Sequence, residues 1–217
     1  MISEQKEVHS LIIIRYGLVL LLSYLIGCSS MALYVSKYKK VDLQKAGSGN
    51  LGASNTMILL GWKPAIIVGL HDIGKAVLAV VLAKLFCPDQ LLIQAGAGVA
   101  CVLGHMFPFY LRFKGGKGFA SYLGMTFALN WKFALIVLLA VIVVTLVSDY
   151  IVAGTMTTIL VVPTYMGYAT RSLPLAGILC IATGAMLIKH KDNYVRLLNG
   201  TEVGLRRANR GELRIKK

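Results

Sequence analysis

The sequence predicts an all-α integral membrane protein of about seven transmembrane helices, with its N-terminus outside and its C-terminus in the cytoplasm. Three observations lead there. The 217 residues are 57% hydrophobic and 15% charged, with a mean hydropathy of +0.71, whereas soluble domains run at roughly 45–50% apolar and 25% charged residues. Apolar windows near the bilayer-crossing length of about 20 residues follow one another along most of the chain. The 23 Lys and Arg outnumber the 9 Asp and Glu, for a net charge of +14, and they gather at the ends of those windows. A basic balance alone would suit a nucleic-acid binder, but such proteins are polar. The composition excludes that class, and membrane lipid is the expected surrounding.

The windows fall near residues 11–36, 62–86, 90–111, 118–130, 132–148, 150–168 and 173–189. The fourth is short for a crossing and is expected to be tilted or partly re-entrant. Very short turns, such as Cys87-Pro88-Asp89-Gln90 and Asn130-Trp131-Lys132, join most of them. Cytoplasmic segments hold the excess of Lys and Arg. An outside N-terminus places 17 of the 23 cations inside, on residues 37–63, 112–117 and 189–217. It leaves Lys6, Arg15, Lys84, Lys132 and Arg171 outside and Lys75 within a span. The same alternation puts the only long or motif-bearing connections, 37–61, 112–117 and 189–217, on the cytoplasmic face, so any chemistry is expected there. Residues 1–205 read as one polytopic domain and 206–217 as a basic tail drawn to anionic lipid.

Cys28, Cys87, Cys101 and Cys180 sit in or beside apolar runs with no short pair, so neither a disulfide framework nor a zinc site is expected. Leu25-Ile26-Gly27-Cys28 has the look of a lipoprotein processing site, but the apolar run continues through Met31-Ala32-Leu33-Tyr34-Val35. Processing there is not expected.

Four constellations carry chemistry. Gly47-Ser48-Gly49-Asn50-Leu51-Gly52-Ala53-Ser54-Asn55 puts three glycines in six residues. That lets successive N–H groups converge on an anion, with Ser48, Asn50, Ser54 and Asn55 as added donors; the alternative is a flexible linker. Asp72 and Lys75, inside the second window, share a helix face at i and i+3. Ionisable groups at membrane depth usually face an interior site, although a structural ion pair has the same spacing. His105 precedes Gly115-Gly116-Lys117-Gly118, which sets flexible backbone and a lysine at a helix N-terminus, a place that attracts anions. The spacing is not that of a Walker A loop. A lone histidine is often a packed core residue, but His105 leads into the same face as Lys117, which makes a catalytic pairing plausible. Finally His190, Asn193 and Arg196, followed by Gly200-Thr201-Glu202, stand at i, i+3 and i+6, on one side of a short helix.

The order and wording of these motifs resemble the PlsY family of bacterial membrane acyltransferases, over nearly the whole chain. Gly-Ser-Gly-Asn-x-Gly-Ala-x-Asn, Asp-x-x-Lys, Gly-His-x-Phe-Pro with Phe-Lys-Gly-Gly-Lys-Gly, and His-x-x-Asn-x-x-Arg-Leu with Gly-Thr-Glu are together highly specific. The resemblance implies transfer of a fatty acyl group from acyl phosphate to glycerol 3-phosphate at the cytoplasmic face of the bacterial inner membrane. The product, lysophosphatidic acid, would serve phospholipid synthesis. It also implies the site: His105, Lys117 and Asn193 catalytic, with His105 beside the reacting hydroxyl. Gly47, Ser48, Gly49, Asn50, Gly52, Asn55, Asp72, Lys75, Gly115, Gly116, Gly118, Thr155, His190, Arg196 and Glu202 would bind substrate. No metal or organic cofactor is implied. An activated donor needs no protein nucleophile, which suits direct transfer.

The chain also departs from the family pattern. Ile58 stands where an arginine is usual, and the segment before the sixth window reads Tyr150-Ile151-Val152-Ala153-Gly154-Thr155, with Val152 and Thr155 in place of two serines. Gly27-Cys28-Ser29-Ser30 replaces Gly-Ser-Ile-Pro. A missing arginine–phosphate clamp removes a strong charge-assisted contact. Two alternatives therefore stay open: the same donor with another hydroxyl acceptor, or a non-catalytic relative that binds or transports a phosphorylated ligand.

Overall fold

In a computed structural model the described residues, 2–211, 213 and 214, form helices and turns with no strand among them. Lys216 and Lys217 of the basic tail lie outside the described residues. The order is α1 (Ile2–Cys28), α2 (Met31–Lys39), α3 (Ala53–Leu60), α4 (Trp62–Phe86), α5 (Leu91–Met106), a 3₁₀ turn (Phe109–Leu111), α6 (Phe119–Leu129), α7 (Trp131–Ser148), α8 (Ile151–Thr170), α9 (Leu173–Lys189), α10 (Lys191–Leu198) and α11 (Leu205–Arg210).

The chain breaks where the local chemistry asks for it. Asn130 stops α6 and starts α7, its side chain accepting from the Phe133 N–H at 3.1 Å; Ser172 does the same for α9 through Leu175, at 3.3 Å. Both satisfy amides that a helix start leaves without an intrahelical partner. The first window, read as one span, is interrupted at Ser29-Ser30 between α1 and α2 but still counts as one crossing segment, Gln5–Lys39. The boundary drawn between residues 205 and 206 falls inside α11, which packs on α3.

Among the described residues five segments are long and apolar enough to cross a membrane: Gln5–Lys39, Trp62–Phe86, Leu91–Leu111, Trp131–Ser148 and Ile151–Thr170; α9 and α10, bent by 52°, make a sixth if taken as one span. The seven apolar helices stand where the windows put them, but α6, at 11 residues, covers only about 16 Å of a hydrocarbon layer about 30 Å thick. Among the described residues, length and composition alone thus support five or six spans, and the short α6 is not one of them. Leu135, Ile136, Leu139, Ile142, Val143 and Leu146 of α7 are exposed, as befits a helix facing lipid on much of its circumference.

The main core joins α4 to α9 around Tyr122, Met106, Met125, Ile159, Leu175, Leu179 and Met186, all essentially inaccessible. Small residues let the backbones approach. At Gly124 on α6 the Ile73 carbonyl of α4 occupies the space a Cβ would take, so α6 lies tight against the helix carrying Asp72 and Lys75. Gly124→Ala is expected to cost about 1–3 kcal/mol through overpacking, measured as a lower thermal midpoint in detergent.

Candidate active site

Segments distant in sequence meet in a cleft of about 490 Å³. The loop before α3 contributes Gly47, Ser48, Asn50 and Gly52; α4 and α5 contribute Asp72 and His105; Lys117 and Gly118 come from the turn before α6; Thr155 comes from α8; and His190, Asn193, Arg196 and Glu202 come from the α9–α10 bend and beyond. A second, basic basin of about 710 Å³ is lined by Lys45, Arg112, Lys114, Lys117 and Lys189 together with Gly49, Gly115 and Gly116. Both cavities share Ser48, Asn50 and Lys117.

The loop is shaped by a residue that neither cavity contains. Asn55 is fully buried; its amide donates to the carbonyls of Leu43 at 3.0 Å and Ala46 at 3.2 Å, and its Oδ1 accepts from the Ser48 N–H at 2.9 Å. Both donors and the acceptor are thus committed, so Asn55 ties the loop instead of reaching a ligand as the motif suggested. Gly47 turns the chain there with φ 61°, and its missing Cβ makes room for Asn55 Oδ1.

Lys75 likewise lines neither cavity. Its ammonium lies 2.8 Å from Asp72 Oδ1, 2.8 Å from the Ser29 carbonyl and 2.8 Å from His105 Nδ1. An ammonium has three donors and no acceptor, and three acceptors surround it. His105 Nδ1 also lies 3.3 Å from Asp72 Oδ1; giving the shorter contact to the Lys75 proton assigns Nδ1 as the acceptor and puts the ring proton on Nε2, an assignment made from the network. Nε2 faces Gly116, where a Cβ would overlap the imidazole; the Gly116 N–H donates to the His105 carbonyl at 3.0 Å.

On the other wall Glu202 accepts from Asn193 Nδ2 at 2.6 Å and from Arg196 Nε at 2.7 Å, and Lys117 Nζ donates to Asn193 Oδ1. Glu202 thus lines the cleft with both oxygens already engaged. Burial, then the nearby Arg196 charge, pulls the Lys117 ammonium below the ordinary lysine range. His190, just past the end of α9, is pushed down to about 4 by burial, with the Lys117 charge adding to the effect. It is neutral at pH 7, and its Nδ1 donates to the Met186 carbonyl at 2.8 Å, so Nε2 keeps a lone pair. The two histidines are complementary: His105 offers an N–H, His190 an acceptor.

The family model for glycerol-3-phosphate acyltransferases matches residues 17–200. The chain belongs to this family. It is 35% identical over 188 residues to a protein named glycerol-3-phosphate acyltransferase from Prochlorococcus marinus strain MIT 9312, covering 85% of this chain and 95% of that one. A second so named, from Bartonella henselae, is 35% identical over 90% of this chain and 94% of its own. Two crystal structures of the integral membrane glycerol 3-phosphate acyltransferase PlsY superpose well. Its glycerol 3-phosphate form has a TM-score of 0.82 and 29% identity, covering 87% of this chain and 94% of that one. Its lysophosphatidic acid form has a TM-score of 0.80 and 28% identity, covering 89% and 97%.

Ile58 and Val152 line the cleft, making one wall apolar. The motifs did not disclose the residues beyond the family match, Val203, Leu205, Ala208 and Leu213, which line the same cleft. The one signal for them was Leu205 and Ala208 at helical spacing after Gly204. Asn55→Ala leaves the Leu43 and Ala46 carbonyls and the Ser48 N–H without that partner, at about 1–3 kcal/mol for a buried group left unpaired. It is expected to speed tryptic cleavage at Lys45 several-fold relative to the parent.

Proposed function

We propose that this protein transfers a fatty acyl group from acyl phosphate to glycerol 3-phosphate, yielding lysophosphatidic acid and inorganic phosphate, in a cleft facing the cytoplasm. The observation that carries the reading is the convergence of the glycine loop, His105, Lys117, His190 and Asn193 on one cleft in a member of this family. Two adjoining cavities with Lys117 between them suit two phosphorylated substrates. The cytoplasmic placement rests on the positive charge of the connections that build the site.

The geometry suggests a division of labour. The acceptor hydroxyl oxygen attacks the acyl carbon, the bond from that carbon to the phosphate oxygen breaks, and the phosphate leaves with the electron pair. His190 Nε2 accepts the hydroxyl hydrogen bond and orients the nucleophile; the proton ends on the departing phosphate. His105 Nε2–H is the donor for charge developing on the acyl oxygen or leaving group, and donors fixed before reaction are worth most there. Lys117, held by Asn193, neutralises phosphate. Asp72 and Lys75 act through His105, and Glu202 acts through Asn193 and Arg196, as positioning residues.

Purified protein in detergent, given acyl phosphate with glycerol 3-phosphate or with other hydroxyl acceptors, is expected to form lysophosphatidic acid and phosphate in equal amounts. Turnover only with another acceptor, or none at all, would overturn the reading. His105→Ala is expected to lower kcat by roughly 10²–10³, the effect of losing one such donor. Lys75→Met should lower kcat with little change in KM for glycerol 3-phosphate, since Lys75 lines neither cavity; an unchanged kcat contradicts the assigned tautomer. Because burial pulls Lys117 down, its charge is lost, as pH rises, before that of an ordinary lysine, about 10.4. KM for glycerol 3-phosphate should therefore climb on the alkaline side, and Lys117→Arg should move that climb to higher pH.

A further inference from the structure

Residues 203–211 and Leu213 follow the segment matched by the family model, which ends at residue 200, and four of them line the cleft: Val203, Leu205, Ala208 and Leu213. We propose that this segment is a cap that keeps water from the acyl group, so that the acyl group passes to the acceptor instead of being hydrolysed; the proposal rests on the acyl-phosphate reading above. Its fastening is specific. The Leu205 N–H donates to the Asp149 carbonyl at 2.6 Å, the Arg206 N–H donates to Asp149 Oδ1 at 2.9 Å, and the Arg206 side chain lies 3.8 Å from the same oxygen. Asp149 itself sits at φ 68° in the turn between α7 and α8. Gly204 is buried against its carboxylate, with no space for a Cβ.

The pinned segment then lays α11 on α3. Ala208 is 3% exposed, whereas Arg206, Arg207 and Arg210 face outward. Leu205 and Ala208, at i and i+3, thus turn one apolar side to the cleft, whose other wall holds Met57, Ile58 and Val152. Apolar surface on both sides of a polar reaction centre favours contact without water. An activated acyl donor makes that matter, because hydrolysis is the side reaction that closing a site prevents. In it a water oxygen attacks the acyl carbon, the carbon–oxygen bond to phosphate breaks, and free fatty acid and phosphate form with release of a proton. Ile58 serves the cap as the apolar residue over which it closes.

The test measures partition. Full-length parent, Asp149→Ala, Gly204→Val and Leu205→Ala are incubated in detergent with acyl phosphate and glycerol 3-phosphate. Free fatty acid and lysophosphatidic acid are then quantified together. The expected result is a ratio of fatty acid to lysophosphatidic acid raised by roughly tenfold in the variants, with faster tryptic cleavage at Arg206, Arg207 or Arg210 for the first two. Leu205→Ala keeps the Asp149 bonds, so it reads the dry wall alone. An unchanged ratio in all three, while the parent forms lysophosphatidic acid, overturns the cap and leaves the acyltransferase reading standing. A parent that forms none overturns both.

Discussion

The site depends on one buried cation. Lys75 sits behind the cleft wall, lining neither cavity, with an acceptor for each of its three protons, and those acceptors belong to the break after α1, to α4 itself and to α5. A charge buried this way is tolerable only when fully paired; removing one partner of such a group typically costs about 3–5 kcal/mol. The knot therefore fixes three helices relative to one another and, in the same stroke, decides which nitrogen of His105 carries the proton. Gly124 is part of this constraint, since only a residue without a Cβ lets α6 come close enough to α4 for Lys117 and Gly118 to reach the same cleft.

The opposite wall repeats the logic with the sign reversed. Glu202 is the anion whose two oxygens hold Asn193 and Arg196, and Asn193 passes that order to Lys117. Each wall thus uses an ion of opposite charge to hold a group that lines the cleft, Lys75 for His105 from behind the wall and Glu202, through Asn193, for Lys117 from within it. Substrates meet groups whose orientation is already fixed, so less ordering has to occur at the moment of binding.

Much of this was legible in the sequence, for definite reasons. Apolar windows and the ends of charged connections gave the helices, because lipid tolerates little else. The motifs gave the cleft, because phosphate chemistry draws on a short menu of glycine, lysine, histidine and asparagine. What stayed hidden was which motif residue faces the ligand. Asn55 read as a contact from its motif, and Lys75 from the family resemblance with a structural ion pair left open, yet they point inward, to Leu43 and Ala46 in one case and to Asp72 and Ser29 in the other. A backbone carbonyl leaves no mark on a sequence. The tail misled for the opposite reason: its arginines spoke of lipid, while the two small signs of packing, Leu205 and Ala208, were outnumbered.

The shortness of α6 has a consequence for how the protein meets its donor. α7 runs 18 residues, about 27 Å, and turns directly at Asn130 into the 11-residue α6 running back alongside it. With α7 spanning the layer, the Lys117 end of α6 stops about 10 Å short of the surface where α7 ends. That depth is below the headgroups, within the acyl-chain part of the layer. On the acyl-phosphate reading proposed above, a fatty acyl donor would arrive sideways, within the leaflet, without lifting its chain into water. On that reading turnover would follow the donor's mole fraction in the membrane, and diluting the donor with inert lipid would slow it even with the amount per volume held constant.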